Sequence, residues 1–275
     1  YRVMKLAREN GIKVMLDGQG SDEMFAGYRP YLAARFAEHL SAGAPLRALA
    51  FLRTAAALPG ARMATVAMQG LGSLAPHWLV PLGRRLAGKP LVPDWLDGAW
   101  FSARGVRFEG PAGRSRGASL HDRLLESLTS TVLPALLRYE DRNSMAFSIE
   151  SRVPFLTTGL VDLAYSCPSS YLIDDAGETK AVFRAAMRGI VPDAILDRRD
   201  KIGFATPEKA WLAELRPWVA ATLHPEALAR LPFLRGDRVA RAVDDQLSGR
   251  TPFDFQTWRW LNLIRWAELF DVHFA

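Results

Sequence analysis

Two glycines lie among polar and acidic residues near the start of the chain, in the run Asp17-Gly18-Gln19-Gly20-Ser21-Asp22-Glu23. Glycines let a backbone approach a ligand closely, and the free N–H groups at the start of a following helix attract anions. Asp22 and Glu23 add carboxylate oxygens, which Mg²⁺ prefers as ligands. The run is typical of a site for a nucleotide with its metal ion. A tight strand-to-helix turn capped by Ser21 explains it equally well.

A second polar stretch occupies residues 137–156, where Glu150 and Arg152 stand shortly before Pro154. Its flanks are apolar. The spacing alone favours a structural pair in which Glu150 and Arg152 brace a turn.

A third segment reads Arg198-Arg199-Asp200-Lys201-Ile202-Gly203-Phe204. A lysine beside a glycine in a loop can reach a phosphate and stabilise developing negative charge. The commoner alternative is an exposed lysine in a basic surface loop, and the segment by itself does not separate the two.

The elements around the first run form a recognisable order. Residues 1–9 have a helical pattern that Asn10-Gly11 ends, since glycine accepts the left-handed conformation there. Residues 12–16 predict a buried parallel strand, and Ser21 begins a new helix. Helix, strand, glycine loop and helix make half of a doubly wound α/β sheet, which binds ligands at the carboxyl ends of its strands.

The rest of the chain predicts helices. Residues 1–39 are interpreted as the remnant of an α/β nucleotide-binding core, 40–117 as a helical insertion, and 118–275 as a helical remainder that carries the site loops. Within the last segment, helices are predicted at 159–166, 179–187, 207–214 and 254–270. Because only one strand is evident, the other strands are expected upstream, so the chain is expected to start inside a fold.

The composition excludes several classes of protein. Hydrophobic residues make up 49% of the 275 positions, enough for a sizeable core, and no apolar stretch is long enough to span a bilayer. The single cysteine, Cys167, excludes a disulfide within the chain and predicts a reducing compartment, the cytoplasm. The net charge is +6, but the basic residues form no tight run, so neither nucleic acid nor a membrane is expected as a partner.

Taken in order, the three segments resemble the asparagine synthetase family. That family's loop reads Ser-Gly-Glu-Gly-[Ala/Ser]-Asp-Glu-x-[Phe/Leu]-x-Gly-Tyr, and residues 17–28 follow it. Residues 141–156 are similar to its Asp-Arg-x-[Ser/Thr]-Met-Ala-x-x-[Ile/Leu]-Glu-x-Arg-Val-Pro-Phe-Leu. The third segment follows Ile190-Val191-Pro192, as the family's lysine loop follows a [Leu/Ile/Val]-Pro helix end.

The resemblance implies a partial ATP-pyrophosphatase-like sheet domain followed by a mostly helical region, and an ATP-dependent carbon–nitrogen ligase. Such an enzyme adenylates the side-chain carboxylate of aspartate and releases pyrophosphate. Ammonia, normally from glutamine, then gives asparagine and AMP. The partners implied are therefore aspartate, ATP with Mg²⁺, and ammonia or glutamine, and a homodimer is one arrangement that fits.

Residue roles follow from the same resemblance. Asp17, Gly18 and Gly20 would lie against the nucleotide, and Asp22 would bind Mg²⁺. Lys201 would stabilise charge on the α-phosphate and on the leaving pyrophosphate during adenylation.

The pair Glu150 and Arg152 would shape the site rather than carry a step.

Two positions depart from the family pattern. Asp17 stands where the family loop usually has serine, and Gln19 replaces the glutamate assigned to proton handling during ammonia attack. Glutamine can form hydrogen bonds but cannot act as a general base, so another group would have to take the proton. Relatives that close β-lactam rings or cyclise peptides also vary this position.

Two parts of the family pattern do not occur in this sequence. They are the pyrophosphate-binding loop Ser-Gly-Gly-x-Asp-Ser and an N-terminal glutaminase domain, both of which lie upstream in the family. We therefore expect a fragment that is inactive alone. Two other functions stay open: a related ligase for another acid in exopolysaccharide or natural-product synthesis, and a non-catalytic module whose residues 40–117 bind a polymer or a membrane.

Overall fold

The structure is a computed structural model that describes residues 1–76, 79, 82–83, 85, 88, 90–108, 119–199 and 206–274. Two short strands, β1 (Val14–Leu16) and β2 (Glu150–Arg152), accompany many helices, so the fold is mixed α/β. The helices are α1 (Arg2–Glu9), α2 (Ser21–Met24), α3 (Pro30–Ser41), α4 (Pro45–Ala56), α5 (Met63–Leu74), α6 (Gly98–Ser102), α7 (Leu120–Glu126), α8 (Leu133–Met145), α9 (Thr158–Ser166), α10 (Ser169–Leu172), α11 (Ala181–Ala186), α12 (Asp193–Leu196), α13 (Glu208–Glu214), α14 (Arg216–Thr222), α15 (Pro225–Ala229), α16 (Gly236–Leu247) and α17 (Gln256–Leu269).

The first helix and its stop signal are confirmed. Helix α1 ends at Glu9, and Gly11 follows with φ +73°, a conformation that glycine adopts without strain. The N–H of Gly11 donates to the carbonyl of Arg8 at 3.0 Å. The chain then leaves the helix and enters β1.

The sheet pairs two parallel strands that are far apart in sequence. Met15 lies opposite Ser151 and Leu16 opposite Arg152. The expectation that residues 118–275 form a helical remainder is therefore wrong at β2. Its three residues are polar and too few to show a period of two, so this strand is specified by pairing with β1 rather than by local preference.

The predicted burial of the first strand is wrong for two of its residues. Val14 is 42% and Leu16 is 71% exposed. Met15 instead packs against a small cluster formed by Met4 and Ile149. Alternate side chains point to opposite faces of a strand, and among the described residues only the Met15 face is covered. The larger doubly wound sheet stays a prediction.

Ser21 does not cap helix α2 as predicted. Gly20 takes that position with φ +91°, and no side chain accepts from the first turn. A Cβ at Gly20 would also lie 2.3 Å from Cδ2 of Leu156. Glycine is thus needed at position 20 both for its positive φ and for the close approach of Leu156. The Ser21 hydroxyl does not serve as the cap.

The described chain divides into two compact units. The first comprises the described residues within Tyr1–Pro76 and Gly113–Lys201, and the second those within His77–Ala112 and Ile202–Ala275. The sequence predicts a different division of the chain, into three segments. That division stays a prediction.

The core of the first unit lies around helices α3, α4 and α5. Leu32 of α3 and Phe51 of α4 are fully buried in it. Side chains from later in the sequence complete it, among them Leu120, Leu124, Leu172 and Ile173. Burying each such side chain contributes roughly 1.5–3 kcal/mol.

The core of the second unit is built on the two longest helices of the C-terminal region, α16 and α17. Trp260, Leu261 and Ile264 of α17 are buried against Val239 and Val243 of α16. The terminal helix predicted at 254–270 is confirmed in type and nearly in extent. No helix within the described ranges is both long enough and apolar enough to cross a bilayer.

Candidate active site

Both strands end at the same edge of the sheet, and the glycine loop begins there. Asp17 follows β1 directly, and its N–H donates to the carbonyl of Arg152, the last residue of β2, at 3.0 Å. The loop from Asp17 to Gly20 therefore lies at the carboxyl edge, where ligands bind in open α/β sheets.

The side chain of Asp17 organises this loop. Its Oδ1 accepts a hydrogen bond from the N–H of Gln19 at 2.9 Å, and its Oδ2 lies 2.9 Å from the hydroxyl of Ser151 on β2. Gly18 is exposed, and a Cβ there would have no atom within 4 Å. Because packing among the described residues does not require glycine at 18, the position is open for approach by a ligand.

Asp22 does not stand alone at the start of α2. Its Oδ1 accepts from Nζ of Lys180 at 2.7 Å, and the same Nζ donates to the hydroxyl of Ser21 at 3.0 Å. A Cβ at Gly27 would lie 1.8 Å from Asp22 Oδ1 and 2.4 Å from Lys180 Cε. Gly27 thus leaves the space in which the lysine and the carboxylate meet.

Lys180 is held by its backbone as well as by its side chain. Its φ is +58°, which is uncommon for a residue with a Cβ, and its N–H donates to the carbonyl of Phe25 at 3.0 Å. Such left-handed residues cost on the order of 1 kcal/mol and cluster at functional sites. The sequence alone does not reveal Lys180 as a site residue, because nothing in its local sequence distinguishes it. The side-chain partners of Lys180 are Ser21 and Asp22, about 160 positions earlier in the chain.

A cavity of about 290 Å³ opens beside this lysine. Acidic residues in its lining are Asp22, Asp174 and Glu178, and the basic ones are Arg29, Lys180, Arg184, Arg198 and Arg199. The excess of cationic groups favours an anionic ligand, because fixed charges in a concave site concentrate opposite charge.

Two of the arginines also fix the chain that leads to the lysine loop. Arg184 donates through Nε to the carbonyl of Thr179 at 3.0 Å and through Nη1 to that of Arg198 at 3.2 Å. Arg29 donates to the carbonyl of Arg199 at 2.7 Å. Burial, with a smaller contribution from the charge of Arg184, lowers the pKa of Arg29. Lys201 itself lies outside the described residues, so its predicted role stays a prediction.

Glu23 does not line this cavity. It is 1% exposed and accepts from the hydroxyl of Tyr28 at 2.9 Å. Burial first, and then this hydrogen bond to Glu23, raise the pKa of Tyr28. Of these two neighbouring carboxylates, Asp22 therefore lies on the cavity wall, and Glu23 anchors α2 to the core.

Glu150 and Arg152 form an exposed ion pair on β2, with Oε1 and Nε 2.8 Å apart. The hydrogen bond from Arg152 lowers the pKa of Glu150. Neither residue lines the described cavity. The two residues therefore pair as predicted, while the bracing of a turn and a part in shaping the site stay predictions.

No group of three or more metal-ligating side chains occurs in the described parts of the chain. Mg²⁺ in nucleotide sites usually needs only one or two carboxylates, since phosphate oxygens and waters complete its shell. Asp22 is a carboxylate on the cavity wall, and its role as a Mg²⁺ ligand stays a prediction.

Comparisons with known proteins are consistent in the family that they match. The asparagine synthetase [glutamine-hydrolyzing] 1 of Bacillus subtilis (strain 168) is 27% identical over 98% of this chain, and a putative asparagine synthetase [glutamine-hydrolyzing] of Mycobacterium bovis is 29% identical over 99% of it. The chain spans 42% of the length of each relative. No solved structure was found to match. The family model described as asparagine synthase matches residues 1–268, so the chain belongs to the asparagine synthase family.

Proposed function

We propose that this chain carries the nucleotide-binding and charge-stabilising groups of an amide-forming ligase that adenylates aspartate and transfers ammonia to it. The observation that carries the proposal is the position of Lys180. It is fixed by Asp22 and Ser21 on the wall of a cavity whose lining has more cationic than acidic side chains.

The first half-reaction needs positive charge at a defined place. An oxygen of the aspartate side chain attacks the α-phosphorus of ATP, and the bond to pyrophosphate breaks, so negative charge grows on the leaving group. Fixed cations stabilise such a transition state without reorganising. Lys180, Arg29 and Arg184 supply them. Lys201 would add another, since the backbone of Arg198 and Arg199 just before it is bound by these arginines.

The remaining groups of the glycine loop fit the nucleotide. Asp17, Gly18 and Gly20 would contact the AMP portion, at the carboxyl edge of the two strands. Asp22 would hold Mg²⁺, which supplies positive charge to the phosphates. The larger doubly wound sheet belongs to this proposal, with β1 and β2 as two of its strands.

The second half-reaction leaves the choice of acid open. The amine nitrogen attacks the acyl carbon, the bond from that carbon to AMP breaks, and nitrogen loses a proton. Gln19 cannot accept it. This departure, with Asp17 in place of serine, favours a second candidate, a ligase of the same mechanism for another acid.

The decisive experiment uses the protein as its whole gene encodes it. ATP–pyrophosphate exchange is measured with aspartate and with a panel of other carboxylic acids, and products are then counted with ammonium or glutamine. We expect aspartate to support exchange, and asparagine, AMP and pyrophosphate to form in equal amounts. Exchange with another acid alone would select the second candidate. Formation of ADP, or no exchange with any acid, would contradict the ligase.

We also propose that the 275-residue chain by itself is inactive, because its sequence has no Ser-Gly-Gly-x-Asp-Ser loop to grip pyrophosphate. Aspartate-dependent release of pyrophosphate by the purified chain would overturn this part of the proposal and leave the ligase assignment intact.

A further inference from the structure

The glycine loop is attached to a second carboxyl group that the family resemblance does not assign. Glu140, on helix α8, places Oε1 at 2.9 Å from the hydroxyl of Ser151. The same hydroxyl lies 2.9 Å from Oδ2 of Asp17. One serine thus joins a helix carboxyl group to the residue that holds the N–H of Gln19.

The number of protons in this arrangement limits which of its groups can donate a hydrogen bond. A serine hydroxyl has one hydrogen, so it can donate to only one of two carboxyl groups. At the other contact the carboxyl group must be the donor, and it must therefore be protonated. Two ionised carboxylates on one hydroxyl would leave one contact repulsive.

We propose that Glu140 is a positioning residue of the ligase, and that one proton shared by Glu140, Ser151 and Asp17 holds the glycine loop in its working shape. The proposal rests on the proposed function for its consequence, but the shared proton itself can be tested without any activity.

The surroundings of Glu140 support the same conclusion. Burial raises the pKa of Glu140, and the charge and hydrogen bond of Asp17 raise it further. The Ser151 hydroxyl acts in the opposite direction and lowers it. These groups come from the loop after β1 and from β2, and together with burial they leave the pKa of Glu140 raised.

The consequence is a loop whose shape depends on pH. As pH rises through the raised pKa of Glu140, the shared proton is lost and two negative charges face one hydroxyl. Asp17 is then pushed from its place, and its hydrogen bond with the N–H of Gln19 weakens. Loss of the proton therefore disturbs the loop that would contact the nucleotide, and activity falls as pH rises through that pKa.

The test measures titration of side-chain carboxyl carbons by ¹³C NMR in the purified chain, with Glu140→Gln to assign the signal. We expect Glu140 to titrate above its midpoint in the chain unfolded by urea. Asp17→Asn should lower that midpoint, because it removes the neighbouring charge. Ser151→Ala should raise it, because a donor to the carboxylate is lost. A midpoint equal to that of the unfolded chain, and unmoved by Asp17→Asn, would overturn the proposal.

The second measurement is the pH profile of kcat and KM for ATP in the complete protein. Glutamine at 140 keeps a donor at every pH, so Glu140→Gln should remove the fall in activity that is expected of the wild type as pH rises through the pKa of Glu140. Glu214→Gln, an exposed change on α13, serves as the matched control and should keep that fall. An unchanged profile in Glu140→Gln would refute the positioning role. Absence of ligase activity in the wild type would instead refute the proposed function, and the titration would still decide the shared proton.

Discussion

Lys180 shows how one side chain can be fixed from several directions. Its ammonium group contacts Asp22 and Ser21, and its backbone adopts φ +58° with its N–H on the carbonyl of Phe25. A lysine has three donors and a flexible stem, so these contacts convert a mobile charge into a placed one. That is the property a site for phosphate chemistry needs.

Removal of this charge should impair adenylation more than folding. We expect Lys180→Ala in the complete protein to slow aspartate-dependent ATP–pyrophosphate exchange by about a hundredfold, or about 3 kcal/mol in the barrier. Lys201→Ala should have a comparable effect if its loop completes the site. Lys209→Ala, an exposed change on α13, should leave the rate unaltered. A Lys180 variant with the rate of the Lys209 variant would show that the lysine is only structural.

Gly27 is a residue whose importance lies in what it leaves empty. The Cβ of alanine would meet Oδ1 of Asp22 at 1.8 Å and Cε of Lys180 at 2.4 Å. Both are side-chain atoms that can move, so Gly27→Ala should displace the ion pair rather than unfold the chain. We expect exchange activity to drop by at least tenfold, while the free energy of unfolding changes by less than about 1.5 kcal/mol. Urea titration and exchange rates on one preparation separate these effects, and normal activity would contradict the packing argument.

At the scale of elements, packing decides which glycines matter. Gly70 and Gly72 both lie in helix α5, but only Gly70 faces α3, where a Cβ would lie 2.5 Å from Cδ1 of Phe36 and 2.9 Å from the carbonyl oxygen of Ala33. Gly70→Ala should destabilise the chain by about 1–3 kcal/mol through overpacking. Gly72→Ala meets nothing within 4 Å and should stabilise it by up to about 1 kcal/mol. Equal midpoints in thermal unfolding would mean that α3 and α5 do not pack as described.

Elements with strong local signals were predictable, and those made by distant partners were not. Helices α1 and α17 and the stop at Gly11 follow from periodicity and glycine chemistry, which act within a few residues. Strand β2 has no such signal, because it exists through its pairing with β1 some 136 positions away. The predicted cap at Ser21 does not form, because the partner of its hydroxyl is Lys180, which is also remote in sequence.

The candidate site divides in the same way. Asp17 and Asp22 were found from the run that contains them, and the structure places them at the strand edge and on the cavity wall respectively. Lys180, Arg29 and Arg184 were missed, because each is an ordinary basic residue in its own neighbourhood. Only the fold brings them to one cavity.

At the scale of the whole molecule, the two units have separate cores, and their unfolding can be followed by different spectroscopic signals. All eight tryptophans fall within the sequence segments of the second unit, and Trp260 is buried in its core. Tryptophan fluorescence should therefore follow the second unit, whereas far-UV circular dichroism follows helices of both. The difference allows a core mutation to be assigned to the unit that it weakens.

Two matched leucines test this assignment. Leu32 in the first core and Leu261 in the second are both 0% exposed, so replacing either with alanine should cost about 2–5 kcal/mol. We expect Leu261→Ala to lower the urea midpoint seen by fluorescence, and Leu32→Ala to lower the midpoint seen by circular dichroism while fluorescence shifts less. If both variants moved both signals equally, the chain would unfold as one cooperative unit, and the two cores would not unfold independently.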